Sequence, residues 1–210
     1  EGFPIKTSDV SAAFLQSVPT DRDVYVLPPK ERREPGKLWK LTKTVYGLAD
    51  ASRGFYKSFS GEIVSLGCHK AILDPAMFIL YRTQSKNEEP LEMQPIGVAV
   101  SHVDDVLHGG GEIFNKKIMG PLFNKFKFGS HENTEFRYVG INFNQLEDGS
   151  IEMDQDHYVE ALEGPNMDTV IKCSMEEVMD DEGQREFRSA VTKLNCVGYQ
   201  SRPDLCFDAK

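Results

Sequence analysis

Two aspartates side by side, Asp104 and Asp105, stand between a strand-forming run, Gly97-Val98-Ala99-Val100, and the glycines Gly109-Gly110-Gly111. Successive strand residues point to opposite faces, so both carboxylates can serve one site only if the chain reverses there. A tight hairpin between two strands supplies that reversal. Burying two like charges costs several kcal/mol per group unless a cation neutralises them. Hard oxygen donors of this kind suit magnesium or manganese, which take a few carboxylates together with substrate phosphates. Taken alone, however, an Asp-Asp pair reads as a solvent-exposed acidic turn.

The surrounding pattern predicts an α+β chain in which helices mix with hairpin-linked strands. Residues 4 to 14 read as a strand turning into a helix. Phe55, Phe59, Ile63 and Leu66 recur at helical spacing from Ala51 to Leu66, with Gly67 as a stop. Met77 to Tyr81 reads as a strand, Lys86 to Pro90 as a polar loop, and Ile113 to Phe126 as a helix. Phe136 to Asn144 and Ile151 to Asp154 read as strands joined at Asp148-Gly149, a strong hairpin signal. A short helix is expected over Asp156 to Leu162, a linker over 164 to 183, and a last helix from about Glu186 to Gln200.

The formal charge of −9 speaks against a nucleic-acid partner until its distribution is considered. Residues 147 to 186 hold fourteen acidic and two basic residues, a net −12, which leaves the rest of the chain at +3. Lys30, Arg32, Arg33, Lys37, Lys40 and Lys43 form one basic cluster, and Lys116, Lys117, Lys125 and Lys127 another. Either cluster is equally readable as a solvated face. No apolar run approaches the ~18 residues that a membrane span needs. Cys68, Cys173, Cys196 and Cys206 lack Cys-x-x-Cys spacing and are expected to be free thiols.

A third carboxylate gives the pair its meaning. Asp9 closes a short strand and is followed by Val10-Ser11-Ala12-Ala13-Phe14, small residues and then an aromatic ring. Small side chains let backbone amides approach a triphosphate, and a ring can pack under a sugar. The competing reading is a helix N-cap with Phe14 in the core.

Asp9-Val10-Ser11-Ala12-Ala13-Phe14-Leu15-Gln16 resembles the first catalytic motif of the reverse transcriptase domain of copia-type retrotransposon polyproteins. Val24-Tyr25-Val26 with Pro28-Pro29, the block Leu41 to Tyr56 around Tyr46-Gly47-Leu48, Asp74-Pro75-Ala76-Met77-Phe78 and His102-Val103-Asp104-Asp105 follow in the family's order. Phe136-Arg137-Tyr138-Val139-Gly140-Ile141 is similar to the primer-grip strand pair, and Tyr199 to Leu205 to the segment leading toward RNase H. The resemblance implies a palm-type antiparallel sheet backed by helices, a partial thumb and fingers that are largely missing. It implies a palm with residual fingers over 1–128, a primer-grip and thumb-like region over 129–171, and a linker and connection over 172–210.

It further implies extension of a primer 3′-hydroxyl by deoxynucleoside triphosphates on an RNA or DNA template. The cofactors implied are two Mg2+ (or Mn2+) ions, which lie ~3.5–4 Å apart in such sites. Asp9 and Asp104 would bridge them and Asp105 would complete the site. Val10, Ala12, Ala13 and Phe14 would face the triphosphate, with Phe14 gating the sugar. Tyr46, Gly47 and Arg53 would meet nucleotide or template, and Tyr138, Val139 and Gly140 the primer. The partners implied are template-primer, nucleotides and the remainder of a Pol polyprotein, with no membrane, in a cytoplasmic virus-like particle or the nucleus.

His102 stands where the family carries tyrosine, and Ser52 replaces a common proline. A zinc site between His102 and His108 is a minor alternative. Only eight residues precede Asp9, so a fragment lacking the basic fingers is expected, with weak or no polymerase activity by itself. A non-catalytic retroelement remnant that binds nucleic acid or a protein is the alternative.

Overall fold

The computed structural model describes residues 3–82, 94–164 and 180–206. Contacts divide the chain into two compact units, Glu1–Phe136 and Arg137–Lys210. The expected loop at Lys86 to Pro90 lies outside the described residues.

The first unit is built on a six-stranded antiparallel sheet. In chain order it contains β1 (Ile5–Val10), the helix α1 (Ala51–Ser65), β4 (His69–Lys70), β5 (Met77–Tyr81), β6 (Pro95–His102), β7 (Asp105–Gly110) and β8 (Phe128–Asn133). The sheet order is β4-β5-β6-β7-β1-β8, while β2 (Tyr25–Val26) and β3 (Trp39–Lys40) form a separate ribbon. Asp9 and Val10 thus sit at the end of the interior strand β1, between the hairpin strand β7 and the edge strand β8.

Burial alternates along β5, β6 and β7, as expected of a sheet with one covered face. Phe55, Phe59 and Ile63 recur every four residues on α1 and are buried against Phe78, Leu80, Ala99, Val106 and Val10 of the sheet. Each such side chain contributes roughly 1.5–3 kcal/mol relative to exposure. The helix ends where Gly67 takes φ +109°, with Cys68 N–H donating to Ile63 O and Gly67 N–H to Val64 O. That pair of bonds is a Schellman motif, and the stop signal in the sequence is correct.

The helix expected over Ile113 to Phe126 is present in three parts. These are α2 (Glu112–Phe114), a π turn over Asn115–Met119 and α3 (Gly120–Lys125). Pro121, in the first turn of α3, explains the widening, because it has no N–H and its ring opposes the carbonyl four residues back. Phe114, Ile118, Met119, Leu122 and Phe126 complete the same core.

In the second unit the reading of Phe136 to Asn144 as one strand is corrected. The chain runs β9 (Glu135–Tyr138), reverses at Val139 and Gly140, and returns as β10 (Ile141–Gln145). Val139 and Gly140 both have positive φ, 50° and 80°, which a two-residue hairpin turn requires. The hairpin to β11 (Ile151–Asp154) forms as expected, with Gln145 opposite Ile151. A short helix α4 (Asp156–Glu160) follows. The last helix, α5, begins at Asp181 rather than Glu186 and ends at Gln200, because Asp180 caps it by accepting from Gly183 N–H. Most of the expected linker, 165–179, lies outside the described residues. Among the described residues Cys68 and Cys196 are free thiols, and no helix is long and apolar enough to cross a membrane.

Candidate active site

The six-stranded sheet brings Asp9, Asp104 and Asp105 to one end. β6 and β7 close through Val103 and Asp104, with His102 opposite Asp105. Asp105 in turn stands directly opposite Asp9 across the β7–β1 pair, so these two carboxylates share a face. Val10 N–H donates to Asp104 O at 2.8 Å, tying the turn to the end of β1. The hairpin inferred from the two adjacent acids is therefore present.

Like charges placed opposite each other destabilise a sheet, and the titration behaviour reflects it. Partial burial, then the charge of Asp104, raises the Asp9 pKa above the ordinary carboxylate value. Burial, then Asp104 and Asp9, raises that of Asp105, with His102 opposing weakly. A raised folded-state pKa means that stability is greatest below the unfolded pKa and is lost as pH rises through the folded one. Without metal, these two groups therefore weaken the chain at neutral pH. Asp105→Asn is expected to raise the thermal midpoint of the metal-free chain at pH 7 and to change it little at pH 4. Thermal denaturation followed by circular dichroism at both pH values checks this.

Two strained backbones flank the acids. Val103, in the hairpin turn, has φ 56°, and Ala12, just after β1, has φ 50°. A β-branched residue in the left-handed region is a genuine outlier that surrounding structure must hold in place. Among the described residues no three His, Cys, Asp or Glu side chains close into a ready metal cage. The alternative zinc site fails for a geometric reason: His102 shares the face of Asp105, while His108, three residues along β7, is on the other face.

Beyond β1, Ala13 to Gln16 form a 3-10 turn in which Ala13 and Phe14 are buried and Ala12 is exposed. Phe14 is 8 % exposed and its ring lies 4.4 Å, centroid to centroid, from that of Tyr46, which is 59 % exposed. The Phe14 carbonyl accepts from Thr44 Oγ1 at 3.2 Å. Gly47 follows with φ +92°. Arg53 lies on the exposed side of α1, where it lines a cavity of about 310 Å3 with Thr20, Asp50 and Lys57. Arg22 grips Asp50 through two bonds of 2.9 and 2.7 Å, which hold the Asp50 carboxyl below its ordinary pKa. Tyr138, Val139 and Gly140 belong to the second unit, where Tyr138 packs edge-on to Phe143 and the other two make the β9–β10 turn.

The sequence reading missed the wall behind Asp9. Ser8 pairs with His131 and Val10 with Phe128, two steps along β1 against three along β8. The extra residue makes a bulge opposite Asp9, and bulges of this kind re-aim side chains beside active sites. Gly129 stands in it; a Cβ there would lie 3.2 Å from Asp9 Oδ2 and 2.6 Å from Ser11 Oγ. No strand pattern marks Phe128–Asn133 in the sequence, so Gly129 there carries no signal of its own.

The family model for reverse transcriptase (RNA-dependent DNA polymerase) matches residues 1–174. Two Arabidopsis thaliana proteins, the retrovirus-related Pol polyproteins from transposons RE2 and RE1, are each 26 % identical over 220 residues, covering 98 % of this chain. The chain spans 14 % of the length of these relatives. Strands, hairpin and family model coincide on one stretch, and the chain belongs to the reverse transcriptase family found in retrotransposon Pol polyproteins.

Proposed function

We propose that the chain carries the palm of a two-metal DNA polymerase that copies an RNA or DNA template, with Asp9, Asp104 and Asp105 as its metal-binding carboxylates. The observation that carries the reading is the pairing of Asp9 with Asp105 beside the strained turn that holds Asp104. Three mutually repelling acids at the end of a sheet make little sense for stability, and such departures from local consistency mark functional sites. They fit Mg2+ or Mn2+ by donor chemistry, and the open arrangement suits a hard cation whose remaining ligands are water and substrate phosphates.

When bound, the ions would supply the positive charge that activates a primer 3′-hydroxyl and stabilises the departing pyrophosphate. On this reading Asp9 and Asp104 hold that charge and Asp105 completes the set. Ala12, exposed just after β1, presents a backbone with no bulky side chain toward the triphosphate, whereas Val10 and Ala13, expected beside it, are fully buried and support that turn from the core. Phe14, clamped under Tyr46, forms a rigid floor for the sugar that leaves no room for a 2′-hydroxyl. Tyr46, Gly47 and Arg53 border the nucleotide and template, and Arg53 offers a cation to a phosphate. The Val139-Gly140 turn would be the primer-grip hairpin of the thumb-like region expected over 129–171.

Primer extension with Mg2+ on poly(A)–oligo(dT) tests this, with wild type set against Asp104→Asn. Weak extension that depends on Mg2+ and disappears in the variant is the expected result, and robust extension by the wild type would overturn the expectation of low activity. Equal extension by both proteins, or a chain that binds neither Mn2+ nor primer-template, would sink it.

A further inference from the structure

The bulge opposite Asp9 is pinned on both sides by side chains. On one side Gln16 grips Lys127 twice, its Oε1 accepting from Lys127 N–H at 2.7 Å and its Nε2 donating to Lys127 O at 3.1 Å. The same Nε2 donates to Ser11 O at 2.7 Å, and Ser11 N–H donates to Lys127 O at 2.9 Å. On the other side the buried Ser8 hydroxyl lies 2.9 Å from His131 Nδ1 and 3.2 Å from His108 Nε2. Three strands, β7, β1 and β8, are thus tied through one hydroxyl, one residue before Asp9.

The direction of this relay follows from one buried atom. His108 Nδ1 is buried with no hydrogen-bond partner among the described residues. Burial pushes the His108 pKa down to about 4, so the ring is neutral near pH 7. A bare ring nitrogen is the cheaper atom to leave unpaired in such a place than an N–H. The proton therefore sits on Nε2, which donates to Ser8 Oγ, and the Ser8 hydroxyl donates on to His131 Nδ1. His131 acts here as an acceptor and is further fixed between Phe123 and Phe128, its ring 4.7 Å and 5.8 Å from theirs.

We infer that His131, acting through Ser8, is a positioning residue that holds the β8 bulge in register and thereby sets the place of the Asp9 carboxylate. The inference rests on the reading of Asp9 as a metal ligand. Without the His131 anchor the bulge is held by side chains only at Gln16 and Lys127, its His131 side loosens, and Gly129 fixes the space beside Asp9 Oδ2 less tightly. Lys6 and Glu132 line the same cavity as His108 and His131, and neither replaces the hydroxyl bridge.

The test uses the 210-residue chain with His131→Ala and His131→Asn. Asparagine places an acceptor oxygen close to where Nδ1 stood but lacks the ring. Amide hydrogen exchange at Ser11 and Lys127, whose N–H groups bond between the end of β1 and the start of β8, reads the register, and loss of the free Mn2+ resonance signal on titration reads the carboxylate site. His131→Ala is expected to speed exchange at both amides and weaken Mn2+ binding, each roughly fivefold, the factor one net hydrogen bond is worth. His131→Asn is expected to stay within about twofold of wild type in both readouts. The proposal is overturned if His131→Ala exchanges like wild type, or if His131→Asn is as impaired as alanine, since ring packing alone would then explain the effect. It is equally overturned if Mn2+ binds wild type and His131→Ala alike. Should wild type bind no Mn2+ while the exchange pattern holds, the metal reading of the aspartates fails and the positioning of β1 by His131 stands.

Discussion

Gly97→Ala is expected to unfold the first unit at markedly lower urea, because the new methyl would overlap the root of a buried ring. A Cβ on Gly97 falls 2.1 Å from Phe114 Cγ, and one on Gly110 falls 2.5 Å from Phe114 Cδ1. The two glycines are direct partners across β6 and β7, so the sheet offers a hole where two side chains would normally stand. The Phe114 ring fills it, with no solvent exposure, and locks the start of the helical run onto the sheet. Overpacking a core costs about 1–3 kcal/mol and sometimes more; an overlap this deep, against a ring with nowhere to swing, belongs at the upper end. Phe114→Ala is expected to cost about 3–5 kcal/mol by opening the same hole. The two changes should not add: Gly97→Ala in the Phe114→Ala background fills vacated space, so the double variant should be less destabilised than the sum. Urea denaturation monitored by far-ultraviolet circular dichroism measures all three. A wild-type midpoint for Gly97→Ala, or strict additivity, would show that the socket is not what couples helix to sheet.

This socket also shows how much of the fold could be read in advance. The period of Phe55, Phe59 and Ile63 announced α1, and Gly67 announced its end, because a helix encodes its buried face and its stop locally. Asp104-Asp105 announced a hairpin because no other local geometry lets two neighbours share a site. The role of Gly97 was not legible, since a glycine in a strand pattern says that something approaches but not that Phe114, seventeen residues on, is what approaches. The π turn was hidden for a related reason: Pro121 lies in the first turn of α3, a position helices ordinarily tolerate. Val139 misled because a β-branched residue argues for strand, and its left-handed backbone is imposed by the hairpin it closes.

The candidate site divides in the same way. The three acids were found by order along the chain, which preserves motif but not distance. What surrounds Asp9 depends on β8, more than a hundred residues later, and on a one-residue mismatch that no linear pattern displays. Ser8, Gln16, Gly129 and His131 are ordinary residues in sequence. Only the register between β1 and β8 gives them a common task.

That register leads to the other large effect. Asp9→Asn is expected to lower Mg2+-dependent extension by at least about 10³-fold, roughly 4 kcal/mol of barrier, and Asp9→Glu by about 10²-fold, for different reasons. Asparagine keeps the shape and removes the charge, so the acid that on the proposed reading would hold a divalent ion is lost outright. Glutamate keeps the charge and lengthens the arm by one methylene. In an open site that change would be absorbed by a new rotamer. Here the carboxylate faces the backbone of Gly129, with only 3.2 Å between Oδ2 and the position a Cβ would take, and Ser11 Oγ closes the same side. The longer side chain has to turn away from the partner acids, and a displacement near 1 Å at a reacting centre costs about 10²-fold even without loss of charge. Metal titration separates the causes. Burial and then Asp104 are the larger causes of the raised Asp105 pKa, so Asp9→Asn, which removes the smaller repulsion from Asp9, is expected to move that carboxyl only part of the way toward its ordinary value, while Asp9→Glu leaves the charge count unchanged. Mn2+ binding should therefore weaken in both, but only Asp9→Asn should flatten its pH dependence. If Asp9→Glu extends primers like wild type, the wall made by the β8 bulge does not set the geometry of the site.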